Sequence, residues 1–256
     1  MIFQITHLHE TDSTNRWLSA LSENDRKADR VVTTDFQTAG RGCGTNRWES
    51  ERAQNLLFSI LAHPTAIQAQ QQFAVSMITA LAITDALSKQ ISKGLSIKWP
   101  NDIYWHDRKL CGILIENRLS GHLLRESIIG VGLNVNQQVF VSDAPNPVSM
   151  VQITGEPTDR DELLNEIIQA FTFRLQKCSQ LLHECTRQDS SDAVYSQLSR
   201  EYNLRLYRRE GFHPYRDKDG TFDAELIKVE GDGTLVLSDR NHRQRRYAFK
   251  EVAFII

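Results

Sequence analysis

A glycine- and arginine-rich segment between two predicted strands constrains the fold more than any other feature of this chain. Residues 37–48 read Gln-Thr-Ala-Gly-Arg-Gly-Cys-Gly-Thr-Asn-Arg-Trp. A β-branched run precedes this segment at 30–36 and an apolar run follows it at 55–61, so both neighbours are predicted strands. Dinucleotide-binding loops and Walker loops instead lead from a strand into a helix and need glycine spacings that are absent here. The strand–loop–strand order therefore argues against both of those folds.

The composition of this segment favours binding of a small anion. Glycine lets a backbone approach a ligand closely, and successive exposed N–H groups form a concavity for anions. The guanidinium of Arg41 suits phosphate or carboxylate. Taken alone, the segment is equally consistent with a surface turn that happens to contain Arg41 and Arg47, because glycine-rich turns are common.

Composition and charge exclude several function classes. The 256 residues are 40% hydrophobic and 24% charged, with a net charge of −2, which is ordinary for a globular protein and does not indicate a basic face for nucleic acid. The most basic run, residues 240–246, is predicted to be a solvated hairpin turn. No apolar run approaches the length of a membrane span, and no signal peptide is visible. We expect a cytoplasmic protein with neither a membrane nor a nucleic-acid partner.

The four cysteines, at positions 43, 111, 178 and 185, form no Cys-x-x-Cys pair. Together with the absence of a histidine cluster in the sequence, this predicts reduced thiols and no metal site. Cys178 and Cys185 are seven residues apart, which on a helix places them on one packing face.

Apolar patterning predicts an alternation of strands and helices. Further strands are predicted at 2–8, 95–99, 103–105, 110–116 and 126–135. Long helices are predicted from Pro64 to a glycine stop at Gly94 and from about 158 to 175, with shorter ones near Trp17 and at 191–202. Ser13 or Asn15 is expected to cap the helix near Trp17, and 143–148 to form a loop. After Tyr202, short strands and turns predict a small β-barrel-like unit.

A second polar segment lies at the end of the strand predicted at 95–99. Lys98, Asn101 and Asp102 cluster there, and Lys109 begins the returning strand of a predicted hairpin. The hairpin brings two lysines, an amide and a carboxylate to one edge of a sheet. For any single lysine a solvated surface position is the simpler interpretation, but the combination with the glycine-rich segment favours a ligand site.

Four segments together resemble the biotin–protein ligases, in that family's order and spacing. They are residues 12–15, residues 37–42, residues 98–102 with 108–116, and residues 130–136. The resemblance covers roughly residues 1–180, and the β-rich tail resembles the family's small SH3-like domain. It implies an α+β fold: a mixed β-sheet catalytic domain flanked by helices (class II synthetase-like) over residues 1–200, and a small C-terminal SH3-like β-barrel domain over 201–256.

The resemblance also implies a two-step ligation. Biotin's carboxylate attacks the α-phosphate of ATP, supplied with Mg²⁺, giving biotinyl-5′-adenylate and pyrophosphate. A lysine of a biotin carboxyl carrier protein (of acetyl-CoA carboxylase or a related carboxylase) then accepts the biotinyl group. Preorganised cations and N–H donors stabilise the charge that grows at phosphorus. Mg²⁺ keeps most of its own waters, so no dedicated protein metal site is expected.

Site residues follow from the same resemblance. The catalytic cations are Arg41 and Lys109, with backbone N–H donors around Gly40 and Gly42. Biotin is expected to contact Ser13, Thr14, Asn15, Gln37, Arg41, Gly42, Cys43, Lys109 and Gly112. ATP is expected to contact Trp48, Lys98, Asn101, Asp102 and Asn134.

Two departures from the family pattern stand out. Many members carry a second arginine where this chain has Cys43, which predicts looser retention of the adenylate unless Arg47 supplies the charge. Some members begin with a DNA-binding domain, whereas here Ser13 already belongs to the ligand site, so no such domain and no operator binding are expected. A homodimer formed through a sheet edge is compatible with the sequence.

Two other functions stay open on sequence grounds. A lipoate or octanoate protein ligase or transferase shares the catalytic fold. A non-catalytic biotin or nucleotide sensor would need the pocket but not both cations, so the presence of Arg41 and Lys109 favours an enzyme.

Overall fold

The computed structural model describes residues 3–44, 46–141, 146–184 and 188–256. Across these residues, seven strands form one mixed sheet in the order β1-β2-β3-β7-β6-β5-β4. β1 runs parallel to β2, and the other neighbours are antiparallel. The strands are β1 (Gln4–Leu8), β2 (Arg30–Thr34), β3 (Leu56–Ala62), β4 (Leu95–Lys98), β5 (Asp102–Trp105), β6 (Arg108–Ser120) and β7 (Leu123–Leu133).

The middle of this sheet is set by the apolar character of β3. Every residue of β3 is buried, as expected for a strand that is covered on both faces. Ser59 is the one polar residue in the strand, and it pairs opposite Gly130 of β7. β3 thus places a buried hydroxyl next to a position without a side chain.

Five helices in the described residues pack around the sheet. They are α1 (Thr14–Ser19), α2 (Phe73–Leu87), α3 (Met150–Thr154), α4 (Arg160–Glu184) and α5 (Gln188–Asn203). α1 contacts β2, β3 and β7, while α2 contacts α4, α5 and strands β4 to β6. Because α2 has neighbours on several sides, most of its residues are buried. None of the described helices combines the length and apolar composition that crossing a bilayer requires.

The long helix predicted from Pro64 was wrong at both ends. The segment before α2 includes a short 3₁₀ helix (Ala69–Gln71) and bonds to the start of β7 and the residue before it. Ala69 N donates to the His122 carbonyl over 2.8 Å, and Leu124 N donates to the Ile67 carbonyl over 3.0 Å. These bonds replace helical ones, so α2 begins only at Phe73. It ends at Leu87, and Gly94 forms a separate turn at a φ of 87°.

The other predicted elements are present, but α4 continues to Glu184, well beyond the predicted end at 175. The strands and the helices near Trp17, after 158 and at 191–202 are present, whereas the short helix α3 was not predicted. Residues 146–148 follow β6 closely, since Lys109 N donates to the Asn146 carbonyl over 2.7 Å. Residues 143–145, the rest of the predicted loop, and Cys185 lie outside the described part of the chain, while Cys178 is buried in α4.

The described C-terminal residues form a second, antiparallel sheet of five strands in the order β11-β10-β9-β8-β12. Its strands are β8 (Phe212–Asp217), β9 (Gly220–Val229), β10 (Leu235–Asp239), β11 (Gln244–Tyr247) and β12 (Ala253–Phe254). The predicted α+β class with a small C-terminal β unit is confirmed. The basic run forms the β10–β11 turn and β11, as predicted. The division at residue 200 stays a prediction.

The C-terminal sheet is held against the edge of the first sheet by directional bonds. Ile97 N donates to the Arg205 carbonyl over 2.7 Å, and Tyr207 N donates to the Ile97 carbonyl over 2.9 Å. The indole Nε1 of Trp99 donates to the Gly233 carbonyl over 2.9 Å. These bonds fix the C-terminal unit beside residues 97–99, where the second polar segment begins.

Candidate active site

A cavity of about 320 Å³ lies where the glycine-rich segment, α1, the β5–β6 hairpin and the C-terminal unit meet. The residues predicted for the site line this cavity, with the exceptions of Gly40 and Asn134. Its other walls come from β7 and from the chain end, which were not predicted. The lining that bears on the chemistry is Ser13, Thr14, Asn15, Gln37, Arg41, Gly42, Cys43, Arg47, Trp48, Lys98, Asn101, Asp102, Lys109, Gly112, Gly130, Gly132, Phe249, Lys250 and Phe254.

The glycine-rich segment forms a small hairpin. Arg41 and Arg47 are paired as an antiparallel bridge. Gly42 N donates to the Asn46 carbonyl over 2.8 Å, and Trp48 N donates to the Gly40 carbonyl over 3.1 Å. The Gly42 N–H is thus used within the hairpin, and its expected role as an anion donor stays a prediction.

The hairpin lays the Trp48 indole on the strands that floor the cavity. A Cβ built on Gly112 would lie 2.9 Å from Trp48 Cζ3, and one on Gly132 would lie closer still to Cε2. Glycine at these positions is what admits the ring. The indole Nε1 is buried and has no hydrogen-bond partner among the described residues. Trp48 thus covers the part of β6 at which the resemblance places biotin's ring system, and its contact with ATP stays a prediction.

A hydrogen-bonded network of neutral side chains runs along another wall. Thr14 N donates to Gln37 Oε1 over 2.8 Å. Ser59 Oγ lies 2.6 Å from Asn15 Oδ1 and 2.7 Å from Thr14 Oγ1. Asn15 Oδ1 can only accept, so it takes the single hydroxyl proton of Ser59, and Thr14 becomes the donor to Ser59. The network turns the Asn15 NH₂ group toward Glu116 Oε2, 2.9 Å away.

Two serines near this network differ from the sequence-based predictions. Ser13 occupies the N-cap position of α1, but its side chain makes no capping hydrogen bond. It is only 2% exposed and faces the cavity. Ser59 was not predicted to belong to the site. Its position as a single polar residue in the apolar run 56–62 could have indicated a buried hydrogen-bonding role.

Each cation predicted to be catalytic is paired with a carboxylate. Arg41 Nη2 lies 3.1 Å from Glu116 Oε1, and Nη1 lies 3.4 Å from Oε2. Lys109 Nζ lies 2.7 Å from Asp102 Oδ1 and 5.8 Å from the centre of the Trp48 ring. Glu116 lies in the segment 108–116, but it was not predicted as a site residue. Its partner Arg41 is distant in sequence and meets it only in the folded chain.

The ammonium group of Lys98 lies near two aromatic rings. Its Nζ lies 4.9 Å from the centre of the Phe254 ring and 5.2 Å from that of Tyr104. Burial lowers the pKa of Lys98, Asp102 opposes that change, and the charges of Lys109 and Arg208 add to it. Such cation–π contacts hold an ammonium group without neutralising it, so its charge stays available to the cavity.

The side-chain amides of Asn101 and Asn134 each donate to a backbone carbonyl group. Asn101 Nδ2 donates to the Ile113 carbonyl over 2.6 Å. Asn134 is 3% exposed, does not line the cavity, and donates from Nδ2 to the Val148 carbonyl over 3.0 Å. In this structure Asn134 joins the end of β7 to the segment before α3, and its contact with ATP stays a prediction.

A histidine cluster that the sequence did not reveal lies away from the cavity. His7, His9 and Asp35 place one potential ligand atom each within 4.8 Å of one another. Asp35 Oδ1 is also 3.1 Å from Arg160 Nη2, and this guanidinium competes for the carboxylate. β1 and β2 bring the three together because their parallel register aligns His7 with Thr33.

The sequence and fold match known proteins. The model of the biotin/lipoate A/B protein ligase family matches residues 8–134. The bifunctional ligase/repressor BirA of Bacillus subtilis (strain 168) is 28% identical over 241 residues, 92% of this chain and 70% of that protein. The biotin–[acetyl-CoA-carboxylase] ligase of Paracoccus denitrificans is 32% identical over 172 residues, 64% of this chain and 70% of that protein. The biotin protein ligase from Aquifex aeolicus in complex with biotin and ATP shares the fold, with a TM-score of 0.75, 23% identity and 97% of each chain covered.

Proposed function

This chain belongs to the biotin/lipoate A/B protein ligase family, and we propose that it is an ATP-dependent biotin–protein ligase. It would activate biotin as biotinyl-5′-adenylate and transfer the biotinyl group to a lysine of a biotin carboxyl carrier protein. The observation that carries this proposal is the division of one cavity into a wall of neutral hydrogen-bonding groups and a wall of cations. Biotin has a neutral ureido ring at one end and a carboxylate at the other, and the carboxylate must meet a phosphate.

The neutral wall supplies the ring contacts. Thr14, Asn15 and Gln37 present hydroxyl and amide groups whose orientation is fixed by bonds to one another and to Ser59. Ser13 adds a hydroxyl group that makes no capping hydrogen bond. Preorganised groups bind with less loss of side-chain entropy than mobile ones. For the biotin ring to enter between Trp48 and Gly112, the Trp48 indole must move away from Gly112 or tilt. This movement makes the indole Nε1, which is buried and unpaired, available to the ligand.

The cationic wall supplies the reaction chemistry. A carboxylate oxygen of biotin attacks the α-phosphorus, the bond to the bridging oxygen breaks, and pyrophosphate leaves with its electron pair. Arg41 and Lys109 stabilise the negative charge that collects on the non-bridging oxygens. Their present partners, Glu116 and Asp102, would have to share them with the ligand. Mg²⁺ enters as part of the ATP complex.

The second step uses the same wall. The acceptor lysine, as a neutral amine, attacks the acyl carbon, AMP leaves, and the amine loses a proton as the amide forms. Retaining the adenylate until the acceptor arrives requires that water be kept out. The hairpin at 40–48 lies over the cavity, and we infer that it has this role.

Partners and location follow as parts of the proposal. The acceptor is expected to be a carboxyl carrier of the acetyl-CoA carboxylase type. A homodimer, the absence of nucleic-acid binding and a cytoplasmic location remain predictions.

The proposal is tested by pyrophosphate release from ATP and Mg²⁺ in the presence of biotin, lipoate or octanoate. Release that depends on biotin is the expected result. Release with lipoate or octanoate alone would show a lipoate or octanoate ligase, and background release with all three acids would show a non-catalytic sensor.

A further inference from the structure

Two histidines at the edge of the first sheet lie beside the same aspartate. β1 is the outermost strand of that sheet, and side chains two residues apart on a strand lie on the same face. His7 and His9 have this spacing, and their rings meet at 88° with centroids 5.7 Å apart. The parallel register pairs Leu8 with Thr34, so the next step along both segments brings His9 beside Asp35.

The separations within this group match those of ligands around one metal ion. His7 Nε2 lies 3.4 Å from Asp35 Oδ1, and His9 Nδ1 lies 3.7 Å from Asp35 Oδ2. Both distances exceed those of good N–H···O hydrogen bonds, about 2.7–3.2 Å. Two ligand atoms that each lie about 2.1 Å from a tetrahedral Zn²⁺ ion are about 3.4 Å apart. Each of the three side chains has a potential ligand atom within 4.8 Å of the other two.

The two histidines can make the small adjustment that binding requires. The side chain of His7 is 47% exposed and that of His9 is 95% exposed. Rotation of an exposed imidazole breaks no core packing, and a hydrated ion reaches both rings from solvent. The cluster therefore combines suitable donors with access.

Arg160 holds the aspartate without using the whole carboxylate. Its Nη2 lies 3.1 Å from Asp35 Oδ1, and its Nη1 donates to the Asn55 carbonyl over 3.2 Å. Asp35 Oδ2 faces His9 instead. Carboxylates that bind a metal are usually hydrogen-bonded by a further group that orients them. A metal ion on Oδ2 therefore leaves the arginine bond in place, although the guanidinium charge reduces the affinity for a cation.

We propose that His7, His9 and Asp35 bind one divalent metal ion of the Zn²⁺ class, with water in the remaining position. Imidazole suits Zn²⁺, Cu²⁺ and Ni²⁺, whereas Mg²⁺ prefers oxygen ligands, so this site differs in chemistry from the Mg²⁺ that accompanies ATP. None of the three residues lines the cavity, and the inference is independent of the proposed function. It departs from the sequence-based expectation of no metal site, because Asp35 joins the histidines only in the folded chain.

The bound ion connects two segments that lead to the cavity. Beyond the cluster these segments run side by side: Thr11 N donates to the Phe36 carbonyl over 3.2 Å, and Thr38 N donates to the Thr11 carbonyl over 2.9 Å. His9 and Asp35 lie just before these bonds, one on each segment. An ion that binds both residues in the folded chain raises its stability by mass action.

Titration calorimetry of the untagged protein with Zn²⁺ alone tests this site. The variants are His9→Ala and His7→Thr, where threonine keeps the strand preference of β1. The control is His183→Gln, a change at an exposed histidine of α4. Both target histidines are exposed, so neither substitution removes a core contact, and the two variants test the site independently.

We expect one Zn²⁺ to bind to each parent chain and to raise its Tm. Each target variant should bind Zn²⁺ at least about tenfold more weakly, because even the loss of a group that only orients a ligand costs about 10–100-fold in metal affinity. The rise in Tm should be lost with the affinity, and His183→Gln should match the parent. Co²⁺ in place of Zn²⁺ should give visible absorption without a thiolate charge-transfer band.

Equal Zn²⁺ affinity in the parent, His9→Ala and His7→Thr would overturn the inference, since the ion would then bind elsewhere. The absence of saturable Zn²⁺ binding to the parent would overturn it as well. A thiolate charge-transfer band with Co²⁺ would assign the ion to a cysteine and have the same consequence. None of these results bears on biotin-dependent pyrophosphate release, so the proposed function is tested separately.

Discussion

Arg41 and Glu116 form a two-point ion pair, with Nη2–Oε1 and Nη1–Oε2 separations of 3.1 and 3.4 Å. The same carboxylate accepts a hydrogen bond from Asn15 Nδ2 over 2.9 Å. One side chain on β6 thus links the hairpin that is proposed to cover the ligand with the helix that is proposed to bind its ring.

Replacement of Glu116 by glutamine should strengthen binding of ATP a few-fold. The amide still accepts from Asn15 but no longer competes for Arg41, and an ion pair this exposed is worth about 0.2–1 kcal/mol. Titration calorimetry in the presence of biotin measures the change, with Glu10→Gln, at a carboxylate paired with Arg52, as the matched control. Weaker ATP binding in Glu116→Gln would show that Glu116 positions Arg41 rather than competing for it.

Replacement of Lys109 by alanine should slow adenylate formation by about 10²–10³-fold, the usual cost of removing one transition-state donor. The loss should be larger than the simple absence of a charge suggests, because Asp102 is left without the partner that lies 2.7 Å away. Single-turnover measurement with saturating biotin and ATP isolates this step. Lys93→Ala, at an exposed lysine outside the cavity, is the control, and a normal rate in Lys109→Ala would remove Lys109 from the catalytic group.

Trp48 should report biotin binding by its fluorescence. Its indole packs against Gly112 and Gly132 with Nε1 buried, so a ligand that enters there changes its environment. We expect an emission change on addition of biotin that is lost in Trp48→Phe but kept in Trp17→Phe. If the signal survives in Trp48→Phe, the ring does not move when biotin binds.

His63 should make the stability depend on pH. Its Nδ1 lies 2.9 Å from Asp29 Oδ1, and this hydrogen bond raises the pKa of His63 against an opposing effect of burial. The folded protein then holds the proton more tightly than the unfolded chain does. The contribution is fully present below the unfolded pKa of about 6.5, and it is lost as pH rises through the higher folded-state value.

Urea unfolding of the parent and His63→Gln at about pH 5.5 and about pH 9 tests this, because histidine changes charge between the two. At the acidic pH, the free energy of unfolding of the parent should exceed that of His63→Gln by about 0.5–1 kcal/mol, which is the upper range for a partly exposed pair. The difference should shrink at the alkaline pH. A difference that is the same at both would show that the contact is a neutral hydrogen bond.

The polar residues of the site were predictable because they sit where elements end. Lys98, Asn101 and Asp102 follow a strand that stops at proline, and the hairpin geometry returns Lys109 beside Asp102. Local spacing alone is enough to bring such groups together.

Contacts between distant elements were not predictable in this way. Glu116 lies in a regular strand, and only the packing of the 40–48 hairpin shows that it meets Arg41. Lys250 lies in the turn between β11 and β12, and its place in the cavity lining depends on how the C-terminal strands pack. The helix that starts at Phe73 was placed too early because apolar spacing does not reveal that the preceding backbone bonds to His122 and Leu124.

The most direct measurement is transfer of labelled biotin to a carboxyl carrier domain and to a copy whose acceptor lysine is replaced by arginine. We expect label on the unmodified domain only when both ATP and biotin are present, and no label on the arginine copy. One pyrophosphate should be released for each biotin transferred. Lipoate accepted in place of biotin, or no transfer although the parent binds biotin and ATP, would contradict the assignment of this cavity to biotin ligation.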